Sequence, residues 1–179
     1  MKVYLVGFMG AGKTTVGREV AARIGAPFFD LDELIEASET LSVAEIFSSR
    51  GEAYFRQRER EILRSTRYLD RGVIATGGGT FTFDENIQFI QSVGISIYLS
   101  APYALVRSRV TGKGDRPLFR DDVSAHELYA TRTRFYRLAD VTLDVREEDT
   151  PSELAERIIL ELPREVRESI FRPDAGRRV

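Results

Sequence analysis

The chain has 179 residues, 42% hydrophobic and 30% charged, with no Cys, no Trp and a single His, His126. That length suits one domain, the apolar fraction is too high for a disordered chain, and the lack of cysteine removes any disulfide framework, Cys-based zinc site or thiol nucleophile. The 26 basic and 28 acidic side chains leave a net charge of -2, which offers no general attraction to nucleic acid or to an anionic membrane.

No run approaches the ~20 apolar residues of a membrane span, and no signal-like apolar segment opens the chain, so a cytoplasmic protein is expected. Residues 3–6 are predicted as a buried strand, closed by the glycine-rich stretch 7–12. A helix over 14–24 follows from apolar residues at Val16, Val20, Ala21 and Ile24, with Gly25 as its stop. Residues 27–29 form a second short strand that runs into Asp30 and Asp32. Ser42 and Glu45 make a capping box for a short helix through Phe47. A longer charged helix over 52–69 carries Phe55, Ile62 and Leu69 on its apolar face. The third strand, 72–75, is followed by Thr76 and three glycines. A helix near 85–93, a strand at 95–99 and a helix after Pro102 continue the alternation. Residues 111–123 show no periodicity and read as a mobile lid loop. A helix over 125–138, a strand at 141–145 and a helix over 151–162 complete a single domain of residues 1–162, leaving 163–179 as a peripheral tail.

Five strands alternating with helices predict an α/β fold, a parallel sheet covered on both faces. Right-handed crossovers then bring the loops after the strands to one edge, where ligands bind. The unusual segments all fall there. Residues 7–14 fit G-x-x-x-x-G-K-[ST] between a strand and a helix, the context that motif needs to cradle phosphates with backbone N–H groups. Gly10, Ala11, Gly12, Lys13, Thr14 and Thr15 are therefore nucleotide-binding candidates. Lys13 would reach the β/γ-phosphates and the Thr14 hydroxyl would ligate Mg²⁺. A glycine-rich turn that binds nothing is the plain alternative. Asp30 and Asp32 could hold Mg²⁺ through water or accept an acceptor hydroxyl's proton, or simply cap a helix over 33–37. Gly77, Gly78 and Gly79 imply either a close approach to a ligand or a flexible surface loop, and the residues alone leave both readings open.

GFMGAGKTTVGR at 7–18, DLD at 30–32, GEAYFRQRE at 51–59, TGGG at 76–79 and RPLF at 116–119 together resemble the shikimate kinases in order and spacing, from about residue 3 to 160. The resemblance implies a three-layer P-loop kinase fold with a five-stranded parallel sheet. It also implies ATP-dependent phosphorylation of the shikimate 3-hydroxyl, a step of aromatic amino acid biosynthesis, with Mg²⁺; a monomer is expected, though the residues do not settle the oligomeric state. By motif, Asp32 would hold the hydroxyl in position to serve as base, and Asp30 would help place Mg²⁺. Arg56 and Arg132 would pair with the substrate carboxylate, and Gly77, Gly78 and Gly79 would meet the ring hydroxyls. Phe47 and Phe55 would line the ring pocket, Arg116 would stabilise the transferring phosphoryl group, and Arg109 would flank the adenine.

Two segments depart from the family pattern. In Arg132-Thr133-Arg134-Phe135-Tyr136, Arg134 replaces an expected proline and competes with Arg132 for the carboxylate. Residues 147–150 before Pro151 are Glu-Glu-Asp-Thr, where an Arg or Asn near the adenine is usual. Arg56, Arg60 and Arg64, at i, i+4, i+8 beside several glutamates, could equally be surface ion pairs. His126 reads as a solvated side chain. Competing functions are a P-loop kinase for another acceptor such as gluconate, and a non-catalytic nucleotide-binding switch.

Overall fold

The computed structural model describes residues 1–110, 122–164 and 167. Five strands pair in parallel, in the order β2–β3–β1–β4–β5: β1 (Lys2–Val6), β2 (Phe28–Asp30), β3 (Gly72–Ala75), β4 (Ile95–Ser100) and β5 (Val141–Asp144). In register, Val3 lies beside Val73 on one side and Ile95 on the other. Every residue of β1 and β3 is buried, because a central parallel strand is covered on both faces and has no solvent side on which to place polar residues.

Helices α1 (Lys13–Ile24), α2 (Leu31–Glu39), α3 (Val43–Ser65), α4 (Asp84–Val93), α5 (Tyr103–Val110), α6 (Asp122–Tyr136) and α7 (Pro151–Glu161) connect or follow the strands. Helix α1 packs against α7 and reaches β3. Its fully buried Val20, like Leu5 and Ile97 of the sheet, contributes roughly 1.5–3 kcal/mol by leaving water. Gly25 ends α1 at φ 61°, as its position predicts. At the other end of the fold, Thr150 and Glu153 form a capping box for α7 around Pro151 at the first helical position.

Three expectations are corrected. The helices expected at 42–47 and 52–69 are one stretch, α3, broken only at Gly51 (φ 82°, ψ 168°); it opens on the predicted Ser42–Glu45 capping box and ends at Ser65. Its buried face is Phe55, Glu59 and Leu63, while Leu69 lies beyond the helix, because the chain tightens into a 3-10 turn over Thr66–Tyr68. Asp122 and Val123 belong to α6 rather than to a loop. The rest of the expected lid, 111–121 with Arg116, lies outside the described residues, as does most of the expected tail 163–179. A satellite core of Ile35, Ile46 and Phe55, flanked by Phe47, sits under the α2–α3 corner and is separate from the main sheet core.

Candidate active site

The crossover from β2 to β3 leaves β1 at the centre of the sheet, with β3 on one side and β4 on the other. The loop after β1 therefore lies beside the loop after β3 at one sheet edge. The first is the glycine-rich 7–12 segment. Gly10 and Gly12 have φ of 79° and 102°, a region that side-chain-bearing residues rarely enter, and a Cβ on Gly10 would come 2.9 Å from Val110. The N-cap of α1 is Gly12, which has no side chain with which to cap the first turn, and this leaves N–H groups for an anion. The Lys13 ammonium arches over the loop, donating to the carbonyls of Gly7 at 2.8 Å and Phe8 at 3.0 Å.

This cradle opens into a cavity of about 530 Å³ lined by Gly10, Gly12, Lys13, Thr14, Asp30 and Asp32 among others. Arg109 and Val110 from α5 face it, as do Asp149, Pro151 and Leu154 near the start of α7. Arg109 also lies 3.4 Å from the Gly10 carbonyl, as a donor. Asp149, two residues before Pro151, belongs to the segment where the family pattern has an Arg or Asn. Its carboxylate is held by the Arg157 guanidinium at 2.9 Å and the Arg146 N–H at 2.8 Å.

A second cavity, about 480 Å³, shares Met9, Thr14, Asp30, Asp32 and Gly78 with the first. The two are lobes of one cleft. Phe47 and Phe55, with ring centroids 4.7 Å apart, form an apolar wall, and Arg56, Arg132, Gly77, Gly78 and Gly79 are also in its lining. Asp30 caps a helix and also faces the phosphate loop. One oxygen caps α2 by accepting from the Asp32 N–H at 3.0 Å; the other accepts from the Thr14 hydroxyl at 2.7 Å.

The triple glycine is not a flexible surface loop. Gly77 and Gly79 are buried, and side chains pack onto them where a Cβ would stand: Glu59 and Asp32 at 2.5 and 3.0 Å from Gly77, and the Arg56 guanidinium at 2.6–2.7 Å from Gly79. Their backbone angles lie outside the left-handed region, so close approach is what requires glycine.

The two arginines of this lobe differ in kind. Arg56, with an 11% exposed side chain, donates to Glu59 at 2.8 Å and to Glu52 at 3.2 Å. Burial works against its charge, but the two glutamates more than offset this and hold its pKa above the ordinary value. Arg132 is 8% exposed and has no carboxylate among the described residues within ion-pair distance. Burial pulls its pKa down, and the nearby Arg56 charge adds to that, against support from the Tyr136 oxygen. Arg134, two residues and about 200° further round α6, is exposed. Of the two competitors, Arg132 is the one in the cleft.

Two residues of this site escaped sequence reading. Glu59 looked like one of several exposed helix acids, yet it is 1% exposed; its place between Phe55 and Leu63 at i, i+4, i+8 was the available signal. Tyr136, fully buried, donates its hydroxyl proton to the Gly78 carbonyl. Arg60 and Arg64 have the plain surface role, both reaching Glu85 on α4, and His126 is exposed against the edge of Tyr103.

A family model described as shikimate kinase matches residues 9–163. The chain belongs to the shikimate kinase family. It is 35% identical over 165 residues to a shikimate kinase of Aquifex aeolicus, covering 90% of this chain and 96% of that one. A shikimate kinase of Salinibacter ruber is 49% identical over 123 residues, which are 68% of this chain and 60% of the relative. Among solved structures, a shikimate kinase from Acinetobacter baumannii in complex with shikimate superposes with a TM-score of 0.84 at 33% identity, covering 98% of this chain and 95% of that one. The kinase family to which the chain belongs is thus a phosphotransferase family, and both its fold and the sheet predicted from sequence agree with these relatives.

Proposed function

We propose that the chain transfers the γ-phosphoryl group of ATP to the 3-hydroxyl of shikimate, with the cradle lobe holding the nucleotide and the lobe under α2 and α3 holding the acid. The observation that carries this reading is Arg132: a buried guanidinium with no described carboxylate at ion-pair distance, beside a paired Arg56, on the wall of a cavity continuous with a phosphate loop. Burying an arginine without an anion is costly unless a ligand supplies one. A small polyhydroxylated carboxylate supplies it, and planar guanidinium groups suit its two oxygens better than an ammonium would.

The roles of the remaining residues follow from chemistry and position. Asp32, at the junction of the two lobes, accepts the hydrogen bond of the reacting hydroxyl and takes its proton as the oxygen attacks. Backbone groups of Gly77, Gly78 and Gly79 meet the other hydroxyls, and Phe47 and Phe55 cover the apolar face of the ring. Phosphoryl transfer spreads charge over the equatorial oxygens, so the protein mainly positions and neutralises. The Lys13 ammonium and the α1 N-terminus do that on the cradle side, and Arg116 does so from the 111–121 segment. Arg109 on one side and Pro151 and Leu154 on the other enclose the adenine.

Thr14 and Asp30 suit Mg²⁺, a cation that takes oxygen ligands, few of them from protein, and keeps several waters. The Thr14 hydroxyl sends its proton to Asp30, which leaves its lone pairs to face a cation. When bound, the ion neutralises charge between the β- and γ-phosphates. The cleft is built within one chain, in keeping with a monomer, and the need for ATP is in keeping with the cytoplasm. Among the described residues no helix is long and apolar enough to cross a membrane.

A coupled ADP assay with shikimate, quinate and gluconate tests the acceptor. Turnover should require shikimate, ATP and Mg²⁺ together. Equal turnover with gluconate, or ADP release that ignores shikimate, would overturn the reading.

A further inference from the structure

Arg132 and Tyr136 stand one helical turn apart on α6 and share a face. Tyr136 is fully buried, its ring 5.3 Å from that of Tyr98. Its hydroxyl donates to the Gly78 carbonyl, and both its oxygen and the Arg132 Nη1 crowd Gly78, 3.8 and 3.3 Å from where a Cβ would stand. With its one proton committed to the Gly78 carbonyl, the phenol oxygen can meet Arg132 only as an acceptor. Gly78 borders both lobes.

We propose that Tyr136 is a positioning residue for acceptor recognition, its hydroxyl fixing the Arg132 guanidinium on α6 against the Gly78 loop that joins the acceptor lobe to the phosphate cradle. This rests on reading Arg132 as the partner of the substrate carboxylate. A phenol suits the task where a carboxylate would not. It satisfies a guanidinium N–H without neutralising the charge, so the positive potential is kept for the incoming anion. Glutamate in that place would compete with the substrate. Burial also pushes the phenol far above its ordinary pKa, so its proton stays on the Gly78 side of the bridge at any working pH.

The test is Tyr136→Phe, which removes one oxygen and keeps the ring, assayed with shikimate and with its neutral methyl ester. The KM for shikimate should rise about tenfold, the KM for ATP should stay within about twofold, and the preference for acid over ester should fall by the same tenfold. A lower melting temperature with the acid preference intact would assign Tyr136 a purely structural role and overturn the proposal. Arg132→Met run in parallel separates the two layers. If that variant keeps the full acid preference, the reading of Arg132 itself fails. If it loses the preference while Tyr136→Phe keeps it, only the role of Tyr136 fails. Gly78→Ala, which presses a methyl group against the same guanidinium from the loop side, gives a second variant: it should lose acid preference too, and an undiminished preference would count against the coupling.

Discussion

Glu59 lies on the α3 face of Phe55 and Leu63 and divides its two oxygens between Thr80, at 2.6 Å, and Arg56, at 2.8 Å. It anchors Arg56 from the wall of the same cavity. Glutamine at this position would still accept from Thr80, but its amide N–H₂ would then confront the guanidinium, donor against donor. Glu59→Gln should therefore lower stability by about 3 kcal/mol, the cost of breaking a buried pair, and lower the melting temperature by several degrees in calorimetry. An unchanged melting temperature would mean that Arg56 finds another partner. Its spacing with Phe55 and Leu63 set Glu59 apart from Glu52 and Glu61 in the sequence, but helical spacing does not show which partners the rest of the fold brings to a buried acid.

The turn after β3 shows the same limit for a whole element. Three glycines in a row could be predicted to be unusual, but whether they yield or are crowded depends on what α3 and α6 bring to them. The Arg56 guanidinium sits 2.6–2.7 Å from where a Gly79 Cβ would be, and Glu59 and Glu52 hold that guanidinium in place. A methyl group there can be accommodated only by moving Arg56. Gly79→Ala should accordingly leave the fold intact and raise the KM for shikimate by about tenfold, while the KM for ATP is little changed, since a small misplacement of a binding group is expensive in recognition. Steady-state kinetics with each substrate varied in turn decides this, and a rise in the ATP KM alone would contradict it. Asp30 makes a related point: one oxygen caps α2 while the other accepts from the Thr14 hydroxyl, so the cap occupies only half of the carboxylate.

At the scale of the molecule, four carboxylates among the described residues are held below their ordinary pKa: Glu45 and Glu153 in caps at helix starts, Glu39 between α2 and α3, and Glu61 within α3. Glu45 is lowered by the Ser42 hydroxyl, Glu153 by the Thr150 backbone N–H, Glu39 by the Tyr54 hydroxyl and Glu61 by the Gln57 amide. The unfolded chain takes up these protons more readily, so the stabilisation is complete above the unfolded carboxylate pKa and is lost as pH falls through the folded values. The melting temperature should be flat near neutrality and fall from about pH 4.5 downward, more shallowly in a Glu45→Gln, Glu153→Gln double variant. Thermal melts across pH 3–8 (about five units, spanning the carboxylate range) check the sign. A rise on acidification would refute it.

The sequence by itself determined what is local or periodic: five strands and their crossover helices, the phosphate loop, the Ser42 cap, the Gly25 stop and the candidates of the cleft. These depend on neighbours within a turn or two, and periodicity records them. Only the tertiary structure decided which of two nearby arginines enters the cavity, that a helix acid is a buried anchor, and that Tyr136 bridges α6 to the β3 loop. Those outcomes rest on which surfaces meet across the sheet edge, between residues such as Gly78 and Tyr136 that are 58 positions apart, and no local pattern encodes a contact of that separation.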